Sequence, residues 1–271
     1  MPGKITMAKL TLLAAAAGGA ALAGAFYVSE GSSPSRAPAS SRAESIPLEA
    51  ESRLFLPESG YRYTYSFRRK ISFQGDLGGA AMQPIGFSGD FYMDVLRADG
   101  RAFEAVVSER IEGAPAPRSL LARVEINARG DALTFFRAEN LSDEETQHVS
   151  VVKDLVSLWL FTLRSDTVGD FDARFDPLPA EPGLARERKT KLGYRAHAAN
   201  TPELVSSEHY LLWDFTLHLP KEVKGIETTR LGHEKTALAA ESRYEMRFQS
   251  KEKAPSYGRM QLASVTQTDP L

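Results

Sequence analysis

The chain has 271 residues, the length of one or two domains, and its 42% hydrophobic and 25% charged residues exclude a multi-span membrane protein and a disordered polyampholyte for most of it. Lys and Arg number 33 against 35 Asp and Glu, and the net charge of -2 supplies no electrostatic footprint for general nucleic-acid binding. Cysteine is absent, which excludes disulfides, thiolate metal sites, a cysteine nucleophile and a lipidated cysteine.

Lys4 and Lys9 precede an apolar stretch from Leu10 to Val28, the order of a secretory n-region and h-region. Ala21-Leu22-Ala23 and Ala23-Gly24-Ala25 suit cleavage, yet the 19 residues from Leu10 also approach the ~20 that a spanning helix needs. Residues 1–30 therefore read as a signal peptide or a membrane anchor. Residues 31–47, GSSPSRAPASSRAESIP, are rich in Ser, Pro and Ala and read as a flexible linker. A β-rich domain is expected over 48–271, exported and held in the cell envelope by the anchor or secreted.

From Tyr61 the pattern has period two: Tyr61, Tyr63, Tyr65 and Phe67 share one face, with Arg62, Thr64, Ser66 and Arg68 on the other. After a glycine-rich turn at 75–79, Phe87, Phe91, Met93 and Val95 alternate with Ser88, Asp90, Tyr92 and Asp94. Asp99-Gly100 signals a hairpin into Phe103, Ala105 and Val107, less cleanly alternating because of Val106. GAPAP at 113–117 reads as a loop, and strands over 120–126 and 132–137 complete an antiparallel meander.

One segment breaks the pattern. Ser142 and Glu145 form a capping box, Asp143 and Glu144 add acid to the first turn, and Val149, Val152, Val156, Trp159 and Leu163 recur at helical spacing. A helix of about five turns is predicted over Asp143 to Leu163, with Arg164 closing its last turn. Leu155, Leu158, Leu160 and Phe161 make it apolar nearly all round, so it must be covered on more than one side, with Trp159 in the core. Strands return with Leu211, Trp213, Phe215, Leu217 and Leu219 against Leu212, Asp214, Thr216 and His218, a strand that Pro220 should end. Segments 226–230, 237–248 and 257–266 are further strand candidates, and 192–199 is ambiguous.

No local catalytic motif appears. The five histidines, His148, His197, His209, His218 and His233, lack metal-ligand spacing and read as surface or satisfied structural residues. His209 and His218 on one strand would face opposite sides. The acidic run 143–145 is explained by its helix N-terminus. Asp166, Asp170, Asp172 and Asp176 are the best oxygen-ligand group, without regular calcium-loop spacing. The basic patch Arg186, Glu187, Arg188, Lys189 and Lys191 reads as a solvated strand edge or loop.

The segment Leu54-Phe55-Leu56-Pro57-Glu58-Ser59-Gly60-Tyr61-Arg62-Tyr63-Thr64-Tyr65 resembles the opening strand of the vitellogenin-type large lipid transfer proteins. Thr167-Val168-Gly169-Asp170-Phe171 resembles the short strand after the helix of that family, with Phe171 where a disulfide cysteine would be expected. The resemblance covers residues 54–175 and implies the N-terminal barrel-like module, which in that family serves mainly protein or receptor contacts. The family's cysteines are absent here.

The expected fold is mainly β, an antiparallel barrel or strongly curved sheet around one central α-helix. The expected function is a non-enzymatic envelope module contacting a protein partner or lipid, without cofactor, metal or nucleic acid. The alternatives are a carrier of one acyl chain in a half-open barrel and an enzyme whose site is assembled from distant strands. Candidate interior or ligand-facing residues are Tyr61, Tyr63, Tyr65, Phe67, Phe91, Leu155, Trp159, Trp213 and Phe215.

Overall fold

The structure, a computed structural model, describes residues 53–74, 76–77, 80–115, 122–195, 202–231, 238–258 and 262–269. The apolar N-terminal segment and the linker lie outside the described residues, as do His197 and His233. Among the described residues, no helix is long and apolar enough to cross a membrane.

The elements in chain order are β1 (Tyr61–Gln74), β2 (Asp76–Leu77), β3 (Ala80–Ala81), β4 (Ile85–Ala98), β5 (Ala102–Ile111), β6 (Ala122–Asn127), β7 (Leu133–Ala138), α1 (Asp143–Trp159), β8 (Phe171–Leu178), β9 (Leu184–Tyr194), β10 (Glu203–Asp214), β11 (Leu219–Leu231), β12 (Leu238–Lys253) and β13 (Val265–Thr268). β2 pairs with β3, and the other 11 strands form one sheet in the order β13-β7-β6-β5-β4-β1-β12-β11-β10-β9-β8, every pairing antiparallel. The sheet is open, so the barrel alternative is corrected. Its free edge strand β8 carries Pro177, which has no N–H to donate, beside the charged Asp172, Arg174 and Asp176, a composition that resists further pairing.

The helix contacts strands on both sides of β1. α1 touches both β5 and β11, which lie four places apart in the sheet, or ~19 Å on a flat sheet with strands ~4.8 Å apart. With 17 residues the helix is about 25 Å long, so by lying across the strands it reaches both.

β1 and β12 pair along the middle of the sheet, with Gln249 as an extra residue between Phe248 and Ser250 where the register shifts. The chain then passes from β12 to β13 beside β7, at the far edge. On the way the Tyr257 hydroxyl bonds Asp94 of β4, which Arg62 also holds through Nε and Nη2 at 2.6 and 2.8 Å. Asp94 is fully buried, although alternation puts it on the solvent face. The crossing segment covers it there.

The helix begins as its sequence requires: Ser142 accepts from the Glu145 N–H and Glu145 reaches back to the Ser142 N–H. It stops at Trp159, four residues before Leu163. Leu160, Phe161 and Leu163 are all buried, and a turn closed by the Phe161 N–H to Trp159 and the Leu163 N–H to Leu160 buries each of them in the core. Arg164 accordingly does not cap the last turn; its guanidinium lies 5.7 Å from the Phe175 ring centre.

The second half departs further from its pattern. The alternation from Leu211 to Leu219 is two strands and a turn, because the Asp214 carboxylate accepts from the N–H groups of Thr216 and Leu217 and His218 adopts a positive φ of 53°. Pro220 is thus the second residue of β11 rather than a terminator. β8 and β9 occupy stretches read as an aspartate loop and a basic strand edge or loop, and of the candidate strand 257–266 only β13, from Val265, is regular.

Tyr63, Tyr65, Phe67, Phe91, Leu155, Trp159 and Trp213 are buried, and Tyr61 and Phe215 pack partly buried against them. Trp159 meets Phe55 at 5.1 Å and Tyr65 at 6.0 Å between ring centres, and Phe55 meets Trp213 at 4.8 Å. Gly130 in the β6–β7 turn has φ 70°, and a Cβ there would overlap the Phe55 ring.

Candidate functional site: a polar recess beside the apolar core

The inner face of the sheet changes character from β1 towards β8. In register, Arg69 of β1 opposes Tyr244 of β12, Tyr244 opposes Gly225 of β11, Gly225 opposes His209 of β10, and His209 opposes Lys189 of β9. One row of side chains therefore crosses five strands on the face that α1 covers. A second row runs Ile71, Ser242, Glu227 and Ser207. Period two places these polar groups in phase with apolar ones: Arg69 follows Tyr65 and Phe67, and His209 precedes Leu211 and Trp213.

The absent side chain of Gly225 makes the first row possible. His209 Nδ1 and the Tyr244 hydroxyl bond at 2.8 Å across it, and His209 Nε2 lies 2.6 Å from Ser207 Oγ. A Cβ on Gly225 would overlap His209 Nδ1 and lie 2.7 Å from Tyr244 Cε1. Gly225→Ala is expected to destabilise the domain by ~1–3 kcal/mol, because two buried rings must leave their positions. Urea unfolding measures this; an unchanged midpoint would mean that the rings relax without cost.

These rows, Asp154 and Ser157 of α1, and the turn 165–168 enclose a cavity of about 70 Å³. At ~10–15 Å³ per water it accommodates a handful of water-sized occupants. Its ion pairs are specific. Lys191 Nζ lies 2.5 Å from Asp166 and 2.8 Å from Glu227, and Arg69 pairs with Asp154 from the helix. Asp166 also accepts from the Tyr194 hydroxyl at 3.2 Å and from the Val168 N–H at 2.8 Å. Nearby, Arg53 grips Glu187 of β9 through two bonds of 2.9 Å.

Burial shifts the ionisation of this set. Lys189 is pushed down to about 7 by burial and then by the charge of Lys191. His209 is pushed down to about 4, chiefly by burial and also by Lys189 and Lys191, against the opposing bond to Glu227. Burial alone would lower Lys191, but Glu227 and Asp166 raise it. Burial would likewise raise Glu227, yet Lys191 and His209 hold it well below the usual carboxylate range. Burial raises Tyr194 and Tyr244, so both stay protonated near neutrality.

The anticipated interior residues form the apolar half of the core, and the polar half was missed. Lys189, Lys191 and Glu187 are buried rather than solvated. The signal available was their spacing i, i+2, i+4 on β9, and the inward phase of Arg69 and His209. The four aspartates do not converge: Asp166 pairs with Lys191, Asp172 with Arg195 and Asp176 with Arg174 and Arg188. Among the described residues no His, Asp and Glu group is arranged to hold a metal ion. His209 is held by bonds at both ring nitrogens, and His148 is buried against Glu109.

The class that fold and site define is an open antiparallel sheet packed on one helix, with a charged recess beside its aromatic core. No protein-family model matches the chain, and no curated protein matches it. Among solved structures, one titled "Lipid-protein interactions in lipovitellin" is similar at 11% identity and a TM-score of 0.47, over 78% of this chain. The match is a loose structural resemblance to the vitellogenin-type fold, and this chain covers 27% of the length of that one.

Proposed function

We propose that the domain is a non-enzymatic binding module of the cell envelope that contacts a protein partner through the exterior of its sheet. The observation that carries this reading is the occupied apolar interior, where Phe55, Tyr65, Trp159 and Trp213 meet ring to ring between α1 and the sheet. An acyl chain would need that same volume, so carriage of a single lipid ranks second to protein contact. Native mass spectrometry of the chain from Gly31 onward should give a mass free of lipid. A stoichiometric co-purifying lipid would reverse the order.

Membrane attachment enters the proposal through residues 1–30. Full-length protein should sediment with membranes, while the chain from Gly31 should stay in the supernatant. A mature N-terminus near Phe26 by N-terminal sequencing would replace the anchor with a free envelope protein. An enzyme is the competing reading, and the observation favouring it is the recess, where burial shifts Lys189 down to about 7 in a cleft that it shares with Asp166, Lys191 and Glu227.

A further inference from the structure

We infer that Lys189 is a carbonyl-reactive amine, which captures a small aldehyde or ketone in the recess as a reversible imine. This inference stands on the recess alone and is independent of the partner contact proposed above. Lys189 is 5% exposed and lines the cavity. Among the described residues it forms no ion pair. Its Nζ reaches only the Leu163 carbonyl, at 3.4 Å, and lies 5.2 and 5.4 Å from the ring centres of Phe161 and Phe171.

The carboxylates nearby are committed elsewhere: Asp166 and Glu227 to Lys191, Asp154 to Arg69 and Glu187 to Arg53. Around the cavity the fixed charges are thus Lys191 and Arg69 against Asp154, Asp166 and Glu227, with His209, Tyr194 and Tyr244 neutral. The set is one positive charge short when Lys189 is a free amine. That deficit favours a cation at Lys189, the protonated imine included, while burial and the neighbouring Lys191 leave Lys189 a free-amine fraction at neutral pH to act as nucleophile. Lys191, two residues along the same face, depresses Lys189 as a neighbouring cation does in activated lysines.

The step balances with water as the only by-product. The Nζ lone pair attacks the carbonyl carbon and forms the C–N bond, and a proton passes from nitrogen to the carbonyl oxygen to give a carbinolamine. The C–O bond then breaks, the oxygen takes a proton and leaves as water, and nitrogen and carbon form the protonated imine. The cavity of about 70 Å³ sets the ligand class. It fits a carbonyl compound of roughly two to four carbons rather than a sugar or a nucleotide.

The test treats the full chain with limiting propanal and sodium cyanoborohydride, which fixes any imine as a secondary amine, and maps the propylated lysines by peptide mass spectrometry. At pH 7 Lys189 should be labelled roughly tenfold or more faster than the exposed Lys221 and Lys224, since its amine has a large neutral fraction there. Its labelling rate should rise through a midpoint near pH 7, well below the range of an ordinary lysine amine. Equal or slower labelling, or a Lys189 profile that rises only in the alkaline range, overturns the inference. In Lys191→Gln, with folding confirmed by circular dichroism, Asp166 and Glu227 are free to pair with Lys189. Its labelling at pH 7 should then fall at least several-fold, and an unchanged rate would also overturn the inference.

Discussion

Replacing Trp159 with Ala is expected to cost the domain ~3–5 kcal/mol. The indole is fully buried at the last turn of α1 and stands among Phe55, Tyr65 and Phe103, with ring centres 5.1, 6.0 and 6.5 Å away. Those partners come from the lead before β1, from β1 and from β5, so one cavity would loosen three parts of the chain at once. Collapse into it is opposed by the sheet, whose strands are held in register on both sides of β1. Urea unfolding of the substituted domain measures the loss. A midpoint equal to that of the parent would mean that the helix is peripheral to the core, which the ring contacts of Trp159 with Phe55, Tyr65 and Phe103 argue against.

The apolar half of this fold was legible because period and burial agree there. Tyr63, Tyr65 and Phe67 alternate with Arg62, Thr64 and Ser66, and the switch to helical spacing after Ser142 marks α1. The capping box set its start correctly, since that signal is made of local bonds. Its end was overestimated because Leu160, Phe161 and Leu163 satisfy helical spacing and a buried turn equally well. The merged strand 211–219 failed for a related reason: Asp214 makes a side-chain turn that apolar periodicity does not register.

The recess was illegible because its charges are balanced by residues far apart in sequence. Lys189 and Lys191 look like a solvated run until β11 brings Glu227 and the turn after α1 brings Asp166. Alternation in β9 shows only that Glu187, Lys189 and Lys191 share a face, and charged residues on a shared face ordinarily point to water. Here that face is the inner one, because β9 pairs with β10 in the register that sets Lys189 opposite His209 and Glu187 opposite Leu211. A long-range pairing decided the burial.

Removing the carboxylate of Glu187 tests how much such balance matters to the fold. Glu187→Ala should destabilise the domain by ~3–5 kcal/mol, since it leaves the Arg53 guanidinium buried without its partner. Both side chains are nearly inaccessible, at 9% and 8%, and two bonds of 2.9 Å join them in the parallel fork that Arg and carboxylate prefer. The loss reports an uncompensated charge and not the net worth of the pair. Replacing both, Arg53→Met with Glu187→Met, should therefore recover most of the stability, because desolvating two charges offsets much of their attraction. A double-mutant cycle by urea unfolding separates the two contributions. If Glu187→Ala alone proves neutral, Arg53 must reach water, and the lead before β1 is then a loose flap over β9 rather than the buried clasp that joins it to the sheet.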